Sequence, residues 1–447
     1  MHIVNSNPAL FVKRRIAAFL ALAALLFACG CAGTQDAQTA GECINYSAFG
    51  SGLGFDTTKL AGFQDQALDC IKSNKSFDAR RMLAALDSFM LGFGTGIPQI
   101  DRFNPVLGNN LAIRSKAIRI LIMRRLDPSY APDFMPLVAN LHGYGFESNG
   151  YITWYEGSEY LVYTLNAVHE LNSAYGNLLL SDFEAKSKRW LDGFSLPNGE
   201  LAPIGDTAIG YGYAKPASKE GIVYTDHETA LFFDAGEGYL LMRHPVANAN
   251  GSTAIRNDLH TSFDMGSVYL WYNGSWKIKP IGYPGYSTKV GQRLGTKYDW
   301  NIQSADKIGN DFEQWDLNSG NLPGYLSSWR YGTVAEFPSD YITRAEYPNR
   351  YEIGFRYRLN TGPNGAFENY ERNVTVFKGS RAIEITDYCG CNSSSSYLLA
   401  SDDVSVVSSA NVSYGYGKWS PAWGKVETSK RFNVSGSGTI VYNISWD

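Results

Sequence analysis

The chain has few histidines, nearly balanced charge and no Cys/His pair close to Cys389-Gly390-Cys391. It carries 39 Lys and Arg against 43 Asp and Glu, a formal net charge of −4, and only six His. No basic patch stands out, which argues against a nucleic-acid partner. The apolar run Ile16–Ala28 is too short to span a bilayer. Cys389-Gly390-Cys391 is too tight for a zinc knuckle without a second pair, and no matching Cys/His pair lies nearby. It reads instead as a tight local disulfide or two free thiols. No short internal repeat is present.

What is present begins with an export signal. Lys13, Arg14 and Arg15 precede the apolar run, in the order of a secretory n-region and h-region over residues 1–28. Leu26-Phe27-Ala28-Cys29 resembles a bacterial lipobox, with Cys29 as the lipidated residue; ordinary signal cleavage near Ala32 is the alternative. Residues 29–45, polar from Gly33 to Gly41, then form a tether. The expectation is an exported protein that meets a membrane only through a lipid anchor. Cys43 and Cys70 suit a disulfide in an oxidising compartment. Aromatic residues make up 14% of the chain, with 29 Tyr and 10 Trp, and suit either sugar stacking or ordinary Tyr/Trp-rich strands.

The remainder divides by period. LAGFQDQALDCI, FDARRMLAALDSFML, NNLAIRSKAIRILIMRRL and EYLVYTLNAVHELNSAY repeat apolar residues at i, i+3/i+4, so residues 46–210 read as a helical domain. From Thr229 strands follow, including TALFFDAGEGYLLMRH, SVYLWYNGSWKIKPI, RYEIGFRYRLN, NVTVFKGSRAIEITDY and TIVYNISW. Asp234-Ala235-Gly236 and Asn273-Gly274 are hairpin turns. No crossover helices separate the strands, so residues 211–447 read as an antiparallel, sandwich-like domain.

Two segments carry chemistry. Asn149–Leu165, NGYITWYEGSEYLVYTL, delivers a Tyr at a helix start through a Gly- and aromatic-rich loop. About a hundred residues later, LHTSFDMGS offers His260 near Asp264. Tyr and His are suited to moving protons at a sugar carbon and oxygen. Asn109-Asn110-Leu111, YEGSEYLVY, Pro197-Asn198-Gly199-Glu200 with Gly205-Asp206, and His260–Asp264 together resemble the motifs of the heparinase II/III-like polysaccharide lyases. That resemblance implies an α+β two-domain chain: an N-terminal incomplete (α/α) toroid and a C-terminal antiparallel β-sandwich. It implies β-elimination at a uronic acid, with Asn110 neutralising the carboxylate, Tyr160 as catalytic phenol and His260 as general base. As a residue, Asn110 equally suits a helix N-cap, and Tyr160 a core-edge Tyr. His142 is the reserve imidazole.

The departures are specific. Ser262, Pro280 and Trp300 replace the three ligands of the zinc that some members bind, so no metal and no cofactor is expected. Leu111 stands where the family tends to have a His. Substrate contacts are expected from Arg114, Arg293 and Asn301, and stacking from Trp154, Tyr155, Tyr213 and Trp271. The expected partner is an acidic polysaccharide. The competing readings are a hydrolase using Glu156 and Glu159, a uronate C5 epimerase, and a non-catalytic glycan-binding lipoprotein.

Overall fold

A computed structural model describes residues 43–49, 57–96, 110–154, 157–204, 207–213, 219–244, 252–253, 267–280, 282, 303–305, 335–336, 342–360, 367–422, 425 and 427–447. Its helices are α1 (Thr57–Lys72), α2 (Ala79–Gly96), α3 (Asn110–Leu126), α4 (Met135–Tyr144), α5 (Ser158–Tyr175) and α6 (Leu178–Phe194). A disulfide joins Cys43 to Cys70, as the sequence suggested, and ties the entering chain to α1.

Helix directions follow from side-chain pairs at both ends of each contact. Arg114 lies over the Tyr163 ring at 3.6 Å, and ten residues further along α3 Arg124 lies over Tyr175 at 4.5 Å. Hence α3 and α5 run side by side in the same direction. Gln64 bonds Ser115 near the start of α3, and Asn74 bonds Arg125 near its end, so α1 is parallel to both. Helix α6 turns back along α5, because His169 meets Glu184 while Asn172 meets Ser181. The reversal needs two residues: Gly176 takes φ 63° at the end of α5, and the Asn177 side chain caps α6 by accepting from the Leu179 and Leu180 N–H groups.

The sequence reading carried the Gly- and aromatic-rich loop through Asn149 to the helix start, and part of it is a hairpin. Strands β1 (Gly145–Ser148) and β2 (Tyr151–Trp154) pair antiparallel around Asn149 and Gly150, both at positive φ. It packs on α6 through Tyr151 against Phe194.

The remaining strands are β3 (Gly221–Tyr224), β4 (Glu228–Phe233), β5 (Gly238–Arg243), β6 (Ser252–Thr253), β7 (Val268–Tyr272) and β8 (Ser275–Ile278). They continue with β9 (Gln303–Ala305), β10 (Ala335–Glu336), β11 (Ile342–Glu346), β12 (Arg350–Asn360) and β13 (Phe367–Phe377). Last come β14 (Ala382–Ala400), β15 (Val404–Ser408), β16 (Asn411–Trp419) and β17 (Glu427–Trp446). All pair antiparallel within one 15-stranded sheet rather than two separate ones. The turns expected at 234–236 and 273–274 are present, with positive φ at Asp234, Ala235, Gly236, Asn273 and Gly274. Strands β14 and β17 run alongside each other through a register shift between Cys389 and Ser394. Such an irregularity bends a long strand. The sheet folds over so that Leu231, Leu240 and Leu270 face Ile353, Val374, Ile385 and Ile444 across one core.

The layer β4–β5–β7–β8 is buried on both faces. Residues one position out of phase, Phe232, Tyr239, Leu241 and Trp271, belong to the helical core instead. Side chains alternate faces along a strand, so a strand between two cores must be apolar at every position, as ALFF and YLLM are. Tyr239 completes the seam by donating its hydroxyl to the Phe194 carbonyl at 2.9 Å.

Candidate functional site

Because α3 and α5 are parallel neighbours, their first residues lie at the same end. Asn110 opens α3 and is 2% exposed; its Oδ1 accepts the Leu111 N–H at 2.8 Å. Tyr160 stands in the first turn of α5, half-buried against the helical core. Of the three predicted catalytic residues, the two that lie among the described residues thus stand at the same end of neighbouring helices. The cap role weighed for Asn110 is real in part, since its carbonyl oxygen serves the helix.

The start of α5 is fixed by the junction segment after α6. Ser158 N donates to Thr207 Oγ1 at 3.0 Å, and Ser158 Oγ donates to the Ala202 carbonyl at 2.8 Å. Thr207 Oγ1 in turn donates to the Ile204 carbonyl. Glu159 accepts the Ala208 N–H at 3.0 Å. The Pro197-to-Ala208 stretch therefore clamps the helix that carries Tyr160. It supplies acceptors for an N-terminus whose entry residue, Gly157 at φ 112°, makes no side-chain cap.

Beneath Asn110 lies a polar cluster that sequence reasoning missed. Gln64 Nε2 donates to the Leu111 carbonyl at 2.7 Å and to Ser115 Oγ at 2.6 Å, and its Oε1 accepts the Tyr163 hydroxyl at 2.9 Å. Burial pushes the Tyr163 phenol up to about 12, against the opposing pull of the Arg114 guanidinium. Asp65 stands 2.7 Å from Arg114 Nη1. Tyr211, partly exposed, has its phenol raised by burial and then by the charges of Glu159 and Asp65. Gln64 and Asp65 gave no signal because polar residues on an amphipathic helix read as its solvated face.

Several predicted substrate residues are placed elsewhere. Arg114 is 3% exposed, ion-paired and stacked, so it braces the site from behind rather than reaching for substrate. The cause is α3 itself, whose first turns are buried on nearly every side. Trp271 is 6% exposed and packs toward the helices, so it offers no face to a sugar. Tyr213 is half-buried; burial first, then Asp192 and Glu184, push its phenol up to about 12. Those acidic partners lie on α6. His142 sits 3.3 Å from Glu147 and edge-on to Phe183. Phe183 belongs to the early turns of α6, which lie along the second half of α5, away from Tyr160. The Trp154 side chain, Tyr155, His260, Arg293, Asn301 and Cys29 lie outside the described residues. Among the described residues, no group of three or more His, Cys, Asp or Glu is placed to hold a metal.

A second polar cluster occupies the margin of the shared layer. Thr225 Oγ1 donates to Glu228 Oε2 at 2.7 Å, and Arg344 bonds Thr229 Oγ1 and the Thr225 carbonyl. His244 Nε2 meets Thr229 Oγ1 at 2.7 Å. Burial drives both His227 and His244 well below the ordinary imidazole value, with Arg243 adding to the effect on each.

Comparison with known proteins places the fold. No family profile and no curated protein matches this sequence. Solved structures match in architecture, and they define the class as heparinase-like in fold. A heparinase III gene product superposes with a TM-score of 0.54 at 10% identity, covering 82% of this chain and 62% of that one. A heparan sulfate lyase HepC mutant from Pedobacter heparinus gives 0.49 at 12% identity, over 83% and 73%. The chain thus spans about three-fifths of the length of the heparinase III structure.

Proposed function

We propose that the protein is a polysaccharide lyase that cleaves a uronate-containing polymer by β-elimination. The observation that carries this reading is the placement of Asn110 and Tyr160 at the N-terminal ends of two parallel neighbouring helices. In such a reaction the C5 proton leaves, negative charge grows on the uronate carboxylate, and the C4–O bond breaks. Asn110 is the neutral side chain assigned to meet that growing charge; a neutral donor held in place is worth most where charge develops. Tyr160 protonates the departing oxygen, a role for which a phenol near its ordinary pKa of about 10 needs no shift. His260 is the base in this scheme. The same reading takes residues 46–210 as an incomplete (α/α) toroid, and the chain as an exported lipoprotein anchored through Cys29. Likeness in fold to a heparinase III supports the substrate class. The hydrolase alternative is weakened because Glu159 is engaged with the Ala208 N–H.

The test is a panel of uronate polymers read for the ultraviolet absorbance of an unsaturated uronate. Wild type should generate it on at least one polymer. Tyr160→Phe should abolish it, and Asn110→Ala should lower kcat by about a hundredfold. Reducing ends without absorbance would point to hydrolysis, and full activity in both variants would sink the site assignment.

A further inference from the structure

At the opposite end of the same three helices lies a groove of about 380 Å³, lined by Ile71, Phe77 and Leu121 together with Arg124 and Arg125. It is roughly 20 Å from Asn110 along α3, at about 1.5 Å per residue. Its two guanidiniums differ from others on the same helix. Arg114 pairs with Asp65 and Arg119 with Asp87. Among the described residues neither Arg124 nor Arg125 is paired with a carboxylate. Both are nevertheless held in place. Arg124 lies over the Tyr175 ring at 4.5 Å, and Tyr175 is itself met edge-on by Phe134. Arg125 donates from Nη1 to Asn74 Oδ1 at 3.1 Å, with its guanidinium 5.9 Å from the Phe77 ring. One cation at a helix C-terminus is ordinary dipole compensation. Two, each braced and both opening on one apolar-floored groove, have their entropy cost of ordering met before any ligand arrives.

We propose that this groove is a second, non-catalytic carbohydrate site for an acidic sugar of the polymer, an assignment that rests on the polysaccharide reading above. A carboxylate or sulfate takes the guanidinium edges in bidentate fashion, and the ring's apolar face lies on Ile71, Phe77 and Leu121. The floor is what selects a sugar over a free inorganic anion. With one site at each end of the helices, a long chain is gripped away from the point of cutting.

The experiment uses the full chain carrying Tyr160→Phe, so that binding is read without turnover. Hexasaccharides of alginate, hyaluronan and heparan sulfate are titrated by calorimetry into this background and into the same chain with Arg124→Gln and Arg125→Gln. The expected result is two binding events in the background, one of which weakens by at least about tenfold in the double substitution. Arg124→Lys with Arg125→Lys should give a smaller loss, since charge remains without the fork. Matching melting temperatures guard against a folding defect. A single event in the background, or equal affinities in both proteins, overturns the groove. Phosphatidylglycerol vesicles are titrated alongside, and a loss seen with them alone also overturns the sugar site and makes the groove a membrane contact. Because no cleavage is measured, an inactive wild type would refute the lyase reading and leave these outcomes legible.

Discussion

Tyr160 and Tyr163 are one turn apart on α5, and their surroundings give them different work. Tyr163 is locked between Gln64 and Arg114, with a phenol that burial makes harder to ionise. Tyr163→Phe should therefore cost about 1 kcal/mol of stability through the lost hydrogen bond and leave the pH optimum of turnover in place. Denaturant titration and a pH–rate profile check both halves. His227 and His244 yield a prediction of the opposite kind. In the unfolded chain each imidazole takes a proton near about pH 6.5. In the fold, burial resists that proton, as do Arg243 for both residues and Arg344 for His244. Below that pH the unfolded chain binds protons that the folded one does not, so stability falls as acid is added. Melting temperatures followed from about pH 7 to about pH 5 should drop, and His227→Gln should flatten the slope. At this scale the sequence was legible only in part. Asn110 and Tyr160 could be singled out because short motifs carried them. Arg114 and Trp271 could not be judged, because a guanidinium or an indole looks the same in sequence whether it faces a cleft or a core.

Elements were easier to read than their ends or their partners. The long apolar stripes gave α1, α2, α3 and α5, and the Asn-Gly turn gave the β7–β8 hairpin. Helices α4 and α6 were not singled out; the first is short, and the second mixes its apolar residues with many charges. The β1–β2 hairpin was hidden because its four-residue strands are too brief to show alternation. Strand β16 and the first half of β17 are rich in Ser, Gly and Lys, and their pairing to one another supplies the order that composition does not. Two predictions belong here. Thr207→Ala removes the acceptor at the α5 N-terminus, so it should cost about 1 kcal/mol and lower turnover by misplacing Tyr160. Hydrogen exchange at Ser158 and Glu159 would report the loosened helix start. In β13 and β14, Arg372 and Asp387 are fully buried and joined by two 2.7 Å bonds, with Ser396 and Tyr442 completing the set. Asp387→Ala strands the guanidinium, at a cost of about 3–5 kcal/mol in a denaturant titration.

In the whole molecule, one sheet layer serves two cores. Phe232, Tyr239, Leu241 and Trp271 belong to the helices, and Leu231, Leu240 and Leu270 to the folded-over sheet. Neither part can melt without exposing the other's wall. Calorimetry should show one transition, and a fragment starting at Gly221 should aggregate; a stable soluble fragment would overturn this coupling. That division into helices and strands was readable from the change of period, whereas their fusion through β4–β8 was not, because unbroken apolarity alone does not say what lies on each side. The parallel run of α3 and α5 has an electrical consequence. Peptide dipoles add along a helix, leaving the equivalent of about half a positive charge at each N-terminus. Two such ends lie beside Asn110 and Tyr160, and since the Glu159 carboxylate in the first turn of α5 offsets one of them, the backbone's pull on an approaching anion is strongest at the α3 end. That field needs no side chain, survives the neutralising of Arg114 by Asp65, and is already in place before any substrate binds.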